Sequence, residues 1–260
     1  DEAQAFFQTL ASHGQAMIIK ALAGGGGRGT RVVTDAADLD GSYERCRSEA
    51  LAAFGVADVY VEAFIARARH IEVQILGDLA GGVVHLGERE CSVQRRFQKV
   101  VEIAPAPGLD DTLRQQIIAA AVRFARSVRY SNLGTFEFLV DASPAAAQPF
   151  VFIEANARLQ VEHTVTEAVT GVDLVQTQIR LAGGATLSDL GLDDPAIATP
   201  RGYAIQARVN MESMTADGAV RPSGGTLTAY EAPSGPGIRT DGFGYTGYRT
   251  NSAFDSLLAK

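Results

Sequence analysis

The stretch Thr135-Phe-Glu-Phe-Leu-Val-Asp141 and its continuation Phe150-Val-Phe-Ile-Glu-Ala-Asn156 decide the fold. Both runs are short and rich in aromatic and aliphatic residues, which is typical of β-strands. The segment between them, residues 142–149, contains mostly Ala and Pro and predicts the loop of a hairpin. The polar residues of this hairpin are the starting point for locating a site.

A hairpin closed symmetrically between residues 145 and 146 sets two carboxylates face to face. Directly opposed side chains have Cβ atoms ~5 Å apart, and like charges there destabilise a sheet. Two buried carboxylates at that range favour a divalent cation between them, and Mg²⁺ prefers one or two carboxylates plus substrate phosphates. The alternatives are that both carboxylates point to solvent or that one is only salt-bridged. The predicted pairs are Val140 with Val151, Leu139 with Phe152, and Glu137 with Glu154.

The polar pattern continues beyond the hairpin. If the chain stays extended, alternate side chains share one face, and that face carries both signs of charge. Such a row, continuing from a metal pair, indicates the floor of a site. An edge strand with a solvated face is the open alternative. The residues of the row are Glu154, Asn156, Arg158, Gln160 and Glu162.

A glycine-rich loop near the N-terminus, Gly24-Gly-Gly-Gly-Arg-Gly29, lies between two predicted strands. No helix opens after it, so it is not a dinucleotide fingerprint, and Thr30 follows Gly29 without a lysine, so it is not a Walker A loop. Residues without side chains let backbone N–H groups wrap an anion. With Lys20 before it and Arg28 within it, the loop is interpreted as a phosphate-binding loop. A plain hairpin turn is the alternative.

The other predicted elements complete an α+β chain with mainly antiparallel sheet. The helix over 110–129 has an apolar stripe, and Thr164-Val-Thr-Glu167 has the form of a capping box before a helix that ends near 183–184. The stripe comprises Leu113, Ile117, Ala120, Ala121, Phe124 and Val128. The predicted strands are 17–22, 31–34 and 59–64, with a hairpin of 71–76 and 83–86; the first long helix is 35–54, and the chain is β-rich from Tyr203.

The composition of the 260 residues is that of a globular protein, with a formal net charge of −7. An acidic chain is not expected to bind nucleic acid or an anionic membrane through broad electrostatics. Two unpaired cysteines, Cys46 and Cys91, favour a reducing compartment such as the cytoplasm. No apolar run reaches bilayer length. Residues 2–13 predict part of a helix with no convincing cap before it, and the chain ends at Lys260 just after the apolar pair Leu257-Leu258, which together predict a fragment of a longer protein.

Three smaller features of the sequence are less specific. The run Gln94-Arg-Arg-Phe-Gln-Lys99 concentrates positive charge, and a solvated loop or a partner surface would also explain it. Cys91 is interpreted as a structural thiol, since no local Cys–His pattern supports a nucleophile. The histidines show no zinc-type spacing, so no zinc site is expected.

Taken together, the chain resembles the biotin carboxylase component of biotin-dependent carboxylases, within the ATP-grasp superfamily. The resemblance rests on motifs that occur in the family's order over nearly the whole chain. They are Ile19-Lys-Ala21 with the glycine loop, Arg69-His-Ile-Glu-Val-Gln74, Glu90-Cys-Ser-Val-Gln-Arg-Arg96, Gln98-Lys-Val-Val-Glu102, Ala104-Pro-Ala-Pro107, Gly134-Thr-Phe-Glu-Phe138, Glu154-Ala-Asn-Ala-Arg-Leu-Gln-Val-Glu-His163, Arg208 and Asp255-Ser256.

The resemblance implies a role for each matching residue. Lys20 and the glycines of the flap (Gly25, Gly26, Gly27) would hold ATP phosphates, and Glu62, His70 and Gln94 would surround the nucleotide. Glu137, Glu154 and Asn156 would surround Mg²⁺ or Mn²⁺. Arg158, Gln160 and the Val161 backbone would bind bicarbonate. Glu162 would be the general base, Lys99 would steady the carboxyphosphate, and Arg208 would stabilise the biotin enolate.

The implied activity is carboxylation of biotin on a carrier protein, using ATP and bicarbonate through carboxyphosphate. The implied organisation is an ATP-grasp domain at 1–196, with a flap subdomain at about 1–65, and a partial β-rich C-terminal domain at 197–260. Implied partners are a biotin carboxyl carrier and a carboxyltransferase, with a homo-oligomer expected. The final acceptor stays open among acyl-CoA, pyruvate and urea. Phe97 stands where the family commonly has His, and Ala63 where a lysine often follows the hinge glutamate.

Two other functions stay open. A carbamoyl phosphate synthetase large chain shares the fold and carboxyphosphate, but the 94–99 run and the Arg-Leu-Gln-Val-Glu-His stretch favour biotin chemistry. A non-catalytic domain that keeps the fold is the second alternative. Loss of the metal pair or of Glu162 would indicate it, and the sequence retains both.

Overall fold

The computed structural model describes residues 2–23, 29–95, 97–143, 149–216, 219–251 and 255–260. Five α-helices and thirteen strands lie within these residues. The helices are α1 (Glu2–Ser12), α2 (Leu39–Phe54), α3 (Asp111–Ser127), α4 (His163–Thr170) and α5 (Leu174–Ala182), with 3₁₀ turns at Ala36–Asp38 and Pro195–Ala198. The strands are β1 (Ala16–Ala21), β2 (Thr30–Val33), β3 (Val59–Phe64), β4 (Ala68–Gly77), β5 (Val83–Arg95), β6 (Gln98–Ala104), β7 (Asn132–Asp141), β8 (Phe150–Asn156), β9 (Ala204–Ala207), β10 (Val209–Asn210), β11 (Glu212–Met214), β12 (Val220–Pro222) and β13 (Leu257–Ala259).

The N-terminal part is a three-stranded antiparallel sheet in the order β2-β1-β3. Side chains alternate along a strand, so Met17 and Ile19 are buried against α1 and α2. Lys20 therefore lies on the opposite face of β1, away from the helices.

The larger sheet has six strands in the order β8-β7-β4-β5-β6-β9, and all its neighbours are antiparallel. Helix α3 packs on one face, where Ile71, Val73 and Phe136 are buried with Ile117. Helices α4 and α5 contact strands of the same sheet, and Leu174 of α5 is buried with Leu76 and Leu133, whose positions alternate with those of the α3 face. The predicted α+β fold with mainly antiparallel sheet is confirmed.

Helix α3 begins where the sequence predicts, because the Asp110 carboxylate accepts a hydrogen bond from the Leu113 N–H at 3.0 Å and caps the helix. Its predicted apolar stripe was partly wrong. Phe124 is 38% exposed and Val128, just beyond the helix, is 53% exposed, whereas Ile118 is buried. The buried face of α3 is therefore rotated toward Ile118, because packing against the sheet decides which of its apolar side chains are buried.

The predicted hairpin register was right at Glu137–Glu154 and wrong beyond it. The pairs observed toward the loop are Phe138–Phe152, Leu139–Val151 and Val140–Phe150. One residue, Ile153, is extra on β8, as in a β-bulge. The predicted pair Glu137–Glu154 is nevertheless correct. The hairpin closes half a residue earlier than predicted, and the one extra residue on β8 cancels this shift for the pairs beyond the bulge.

The predicted capping box at Thr164–Glu167 is also wrong. The N-cap of helix α4 is Glu162, two residues earlier than predicted, and the Glu167 carboxylate instead accepts a hydrogen bond from the Leu174 N–H at 2.7 Å. The predicted single helix is two, because Gly171 takes the left-handed conformation (φ 78°) and ends α4. The end at 183–184 is confirmed by Gly183.

The C-terminal part consists of short antiparallel pairs, β10 with β13 and β11 with β12. Strand β9 belongs to the large sheet, where it pairs with β6. The β-rich character predicted from Tyr203 onward is confirmed. Across the helices of the described ranges, none combines the length and the apolar character that a membrane crossing requires.

Candidate active site

A row of four charged residues crosses four neighbouring strands of the large sheet. Arg89 on β5 pairs with Glu72 on β4, Glu72 pairs with Glu137 on β7, and Glu137 pairs with Glu154 on β8. Directly opposed residues point to the same face, here the face on which Arg89 reaches Thr166 of α4. Arg89, Glu72 and Glu137 are buried, whereas Glu154 is exposed at the sheet edge. Only one carboxylate of the predicted metal pair is therefore buried.

Glu137 is the most heavily hydrogen-bonded carboxylate of the row. Its Oε1 accepts from Lys99 Nζ (3.0 Å), Asn156 Nδ2 (2.8 Å) and Gln160 Nε2 (2.9 Å), and its Oε2 lies 2.5 Å from His70 Nε2. Burial alone would raise the pKa of Glu137, but the His70 hydrogen bond and the Lys99 charge outweigh it and lower the pKa to about 2. Glu137 is a permanent carboxylate at neutral pH.

Asn156 joins the two opposed carboxylates. Its Nδ2 donates to Glu137 Oε1 at 2.8 Å and to Glu154 Oε1 at 2.9 Å. The structure thus brings the three residues of the predicted metal set together. Their carboxylate and amide oxygens are the donors that a hard divalent cation prefers, so the set fits Mg²⁺ or Mn²⁺.

The orientation of His70 is set by Gln94. The Gln94 side-chain amide donates to the Cys91 carbonyl and to His70 Nδ1, each at 2.8 Å. Since Nδ1 then accepts, the ring proton lies on Nε2 and is donated to Glu137. His70 therefore contacts Glu137 of the charged row directly, and Gln94 contacts it through His70.

Lys99 bridges three buried carboxylates. Its Nζ lies 2.6 Å from Glu72, 3.0 Å from Glu137 and 2.7 Å from Glu162. Burial alone would lower the pKa of Lys99, but the charges of Glu72 and Glu162 raise it far above its usual value. Lys99 is therefore a fixed cation. It also occupies the space between Glu72 and Glu137, which with His70 form a group close enough to hold a metal.

Glu162 lies between two cations. Its Oε1 accepts from Lys99, and its Oε2 accepts from Arg208 NH2 at 3.0 Å. Arg208 also donates from Nε to Glu102 Oε1 at 2.7 Å. The predicted general base and the two predicted stabilising cations thus form one connected cluster.

The predicted extended row past β8 was wrong in conformation. The strand ends at Asn156, and residues 157–162 turn into α4. Gln160 and Glu162 nevertheless reach the cluster, because the turn brings them back over the sheet. Gln160 Oε1 is buried and has no hydrogen-bond partner among the described residues. Arg158 is exposed, with its guanidinium 3.3 Å from Asn156 Oδ1.

The other predicted anion and nucleotide ligands lie around this cluster or on the small sheet. The Val161 carbonyl accepts from Lys260 Nζ at 2.6 Å. Lys20 pairs with Tyr60 across β1 and β3, so its Nζ reaches Glu62 on the same face at 2.5 Å. The glycines predicted to hold phosphates, Gly25, Gly26 and Gly27, and the neighbouring Arg28 lie outside the described residues.

The basic run 94–99 serves several purposes. Arg95 forms an ion pair with Glu212, and Lys99 lies in the cluster, while Arg96 is outside the described residues. Phe97 is 49% exposed with φ 67° at the turn between β5 and β6.

Burial raises the pKa of the Cys91 thiol well above its usual range, which favours the interpretation of Cys91 as a structural thiol.

Three buried charged residues beside the site were missed by reasoning from the sequence: Glu72, Arg89 and Glu102. All three are fully buried. The signal was present in β4, where Ile71, Val73 and Ile75 alternate with Glu72 and Gln74. Polar residues alternating with a buried apolar face normally point to water; here α4 covers the second face, so the polar residues are buried too.

The comparisons agree with this geometry. Residues 1–190 match the family described as carbamoyl-phosphate synthase L chain, ATP binding domain, and residues 206–260 match the biotin carboxylase C-terminal domain. The chain is 51% identical to the pyruvate carboxylase of Aspergillus niger, over 100% of this chain and 21% of that protein. It is 48% identical to the biotin carboxylase of Nostoc sp., over 95% of this chain and 53% of that protein.

Solved structures show the same relationship. The biotin carboxylase domain dimer of Hydrogenobacter thermophilus 2-oxoglutarate carboxylase, in complex with MgADP, ADP and bicarbonate, superposes with a TM-score of 0.90 at 41% identity, covering 99% of this chain and 54% of that one. A biotin carboxylase from Campylobacter jejuni gives a TM-score of 0.85 at 40% identity, covering 96% and 53%. The chain thus spans about a fifth to about half of these relatives.

The sheet architecture and the similarity to these solved and curated relatives establish an ATP-grasp fold, as predicted. Within that superfamily, the chain belongs to the biotin carboxylase family.

Proposed function

We propose that this chain forms the ATP, Mg²⁺ and bicarbonate-binding core of a biotin carboxylase and carboxylates biotin on a carrier protein. The observation that carries the proposal is the connected cluster of Glu137, Lys99, Glu162 and Arg208 beside the Glu137–Asn156–Glu154 set. In this proposal, the cluster would provide a cation site, an anion site and a proton acceptor side by side. These are the three requirements for activating bicarbonate and then using it.

The nucleotide side of the proposal uses both sheets. Lys20 on the small sheet would bind the phosphates together with the glycine loop, and Glu62, His70 and Gln94 would lie near the nucleotide. Glu137, Glu154 and Asn156 would hold Mg²⁺, which neutralises phosphate charge during transfer of the phosphoryl group. The low pKa of Glu137 supports this role, because a metal ligand must be deprotonated.

The bicarbonate side uses residues of the turn before α4. Bicarbonate would be bound by Arg158, by the Gln160 side chain, whose Oε1 has no partner in the described part of the chain, and by the Val161 backbone. Glu162 would remove its proton. Both oxygens of Glu162 are occupied by Lys99 and Arg208. Lys99 would turn to the arriving anion, which frees one oxygen of the carboxylate as a base, while Arg208 keeps its contact with the other oxygen. Lys99 would then steady carboxyphosphate, and Arg208 the biotin enolate.

The activity is tested with the intact polypeptide that carries these residues. We expect ATP hydrolysis that requires bicarbonate and is stimulated by free biotin. Glu162→Gln should abolish the stimulation, while Glu231→Gln, at an exposed position, should not. Stimulation by ammonia instead of biotin would establish the carbamoyl phosphate alternative. Nucleotide binding without turnover would establish a non-catalytic domain.

The organisation of the whole protein is also proposed. The division into 1–196 and 197–260 stays a proposal, and strand β9 would link the two parts through β6. Relatives named for pyruvate, 2-oxoglutarate and long-chain acyl-CoA are 51%, 41% and 48% identical to the chain, which supports a carboxyltransferase, fused or separate, as the part that selects the acceptor. A solved relative is a dimer. We propose a homo-oligomer, a biotin carboxyl carrier as partner, and the cytoplasm as the compartment.

A further inference from the structure

Glu102 has no role in the site described so far, yet it is fully buried beside it. It lies on β6, directly opposite Gln206 on β9. Its Oε1 accepts from Arg208 Nε at 2.7 Å and lies 2.6 Å from Arg208 NH2. Its Oε2 accepts from Gln206 Nε2 at 2.8 Å. Because none of its surface is exposed, Glu102 does not reach a substrate.

The Glu102 carboxylate is held in place by Gln206. The Gln206 side chain that donates to Glu102 accepts in turn a hydrogen bond from the Thr164 hydroxyl, on α4 two residues after Glu162. A ring of contacts therefore runs from α4 through Gln206, Glu102 and Arg208 back to Glu162. One oxygen of Glu102 is fixed by the scaffold, and the other is left for the guanidinium.

Arg208 is consequently shared between two carboxylates of different character. Glu102 is enclosed and fixed, whereas Glu162 is the residue expected to exchange a proton. A guanidinium paired only with Glu162 would move whenever the charge of Glu162 changed. The Arg208 Nε donates to Glu102 Oε1 and its NH2 lies against the same oxygen, so the guanidinium stays anchored to Glu102 while its contact to Glu162 is made or released.

We propose that Glu102 is the positioning residue for Arg208 and that it supports the biotin-dependent half of the reaction selectively. The proposal rests on the proposed function above, in which Arg208 stabilises the biotin enolate. Activation of bicarbonate uses Lys99, Glu137 and Glu162 instead. Loss of Glu102 should therefore separate the two halves, which a general loss of folding would not.

The test is a double-mutant cycle in the intact polypeptide, with Glu102→Gln, Arg208→Ala and the double variant. Two activities are measured: bicarbonate-dependent ATP hydrolysis without biotin, and ATP-dependent carboxylation of free biotin. We expect Glu102→Gln to lower kcat for biotin carboxylation by about tenfold or more, with the KM for ATP and the biotin-independent hydrolysis changed by no more than about threefold. In the Arg208→Ala background, Glu102→Gln should have no further effect.

Equal losses in both activities, or a Glu102→Gln effect that persists in the Arg208→Ala background, would overturn the proposal. If Glu102→Gln fails to fold, Gln206→Met decides: it keeps the pairing with Arg208 but removes the second hydrogen bond to Glu102. It should reduce biotin carboxylation selectively, and an unselective or absent effect counts against the proposal. If biotin does not stimulate the wild-type protein, the proposed function is refuted. If biotin stimulates the wild type and Glu102→Gln has no effect, only the role of Glu102 is refuted.

Discussion

The pKa of Glu137 makes a quantitative prediction about stability and pH. Its fall from the ordinary 4.5 to about 2 corresponds to ~3 kcal/mol of stability at neutral pH. Because the folded-state pKa lies below the unfolded value, this stability is complete above the unfolded pKa and is lost as the pH falls through the folded one. Glu137→Gln removes the charge. The gap in unfolding free energy between wild type and variant should therefore close by ~2 kcal/mol between pH 5 and pH 3.

The assay is pulsed hydrogen exchange over a urea series on the intact protein, measured at peptides of β7, since these report the sheet that holds Glu137. Glu154→Gln is the matched control on the opposed position of β8. That side chain is exposed and accepts its hydrogen bond from Asn156, so we expect only a small effect. A Glu137→Gln gap that stays constant from pH 5 to pH 3 would refute the reasoning.

Three further predictions follow from the same contacts. Gly77→Ala should prevent stable folding, because its Cβ would lie 2.1 Å from the Tyr130 carbonyl oxygen. Gly41→Ala, on an open face of α2, should instead raise the unfolding free energy by ~0.5–1 kcal/mol, and thermal unfolding of both variants checks the two outcomes. Arg89→Met should destabilise the sheet by ~3–5 kcal/mol in urea unfolding, since it removes one of the two cations paired with the buried Glu72 carboxylate; an unchanged midpoint would contradict it. Lys99→Ala should lower bicarbonate-dependent ATP hydrolysis ~100-fold or more, and a near-normal rate would exclude a role for Lys99 at the developing charge.

The sequence carried enough information for several strands and for the central pair, but not for β6 or for the second half of β5. Local alternation and turn residues located β3, β7 and β8, and a simple closure of the hairpin placed Glu137 opposite Glu154. The register toward the loop could not be predicted, because a single extra residue at Ile153 has no signature in an apolar run. The pairing nearest the site survived, since the bulge lies on its loop side.

The rest of the site depends on tertiary contacts that local patterns do not contain. Glu72 and Glu102 look like ordinary solvent-facing residues of amphipathic strands until α4 and β9 cover them. Gln160 and Glu162 were assigned to the site through an extended strand that does not exist; the turn before α4 brings them there instead. Family motifs identified most site residues, but not the buried partners that orient them.

The most direct test of the account is a crystal structure of the intact protein with MnADP, in which anomalous scattering locates the metal. The account predicts Mn²⁺ within coordination distance of carboxylate oxygens of both Glu137 and Glu154, with Lys99 still beside Glu162. Manganese bound elsewhere, or bound with either glutamate turned away from it, would contradict the central claim that this opposed pair holds the metal-nucleotide.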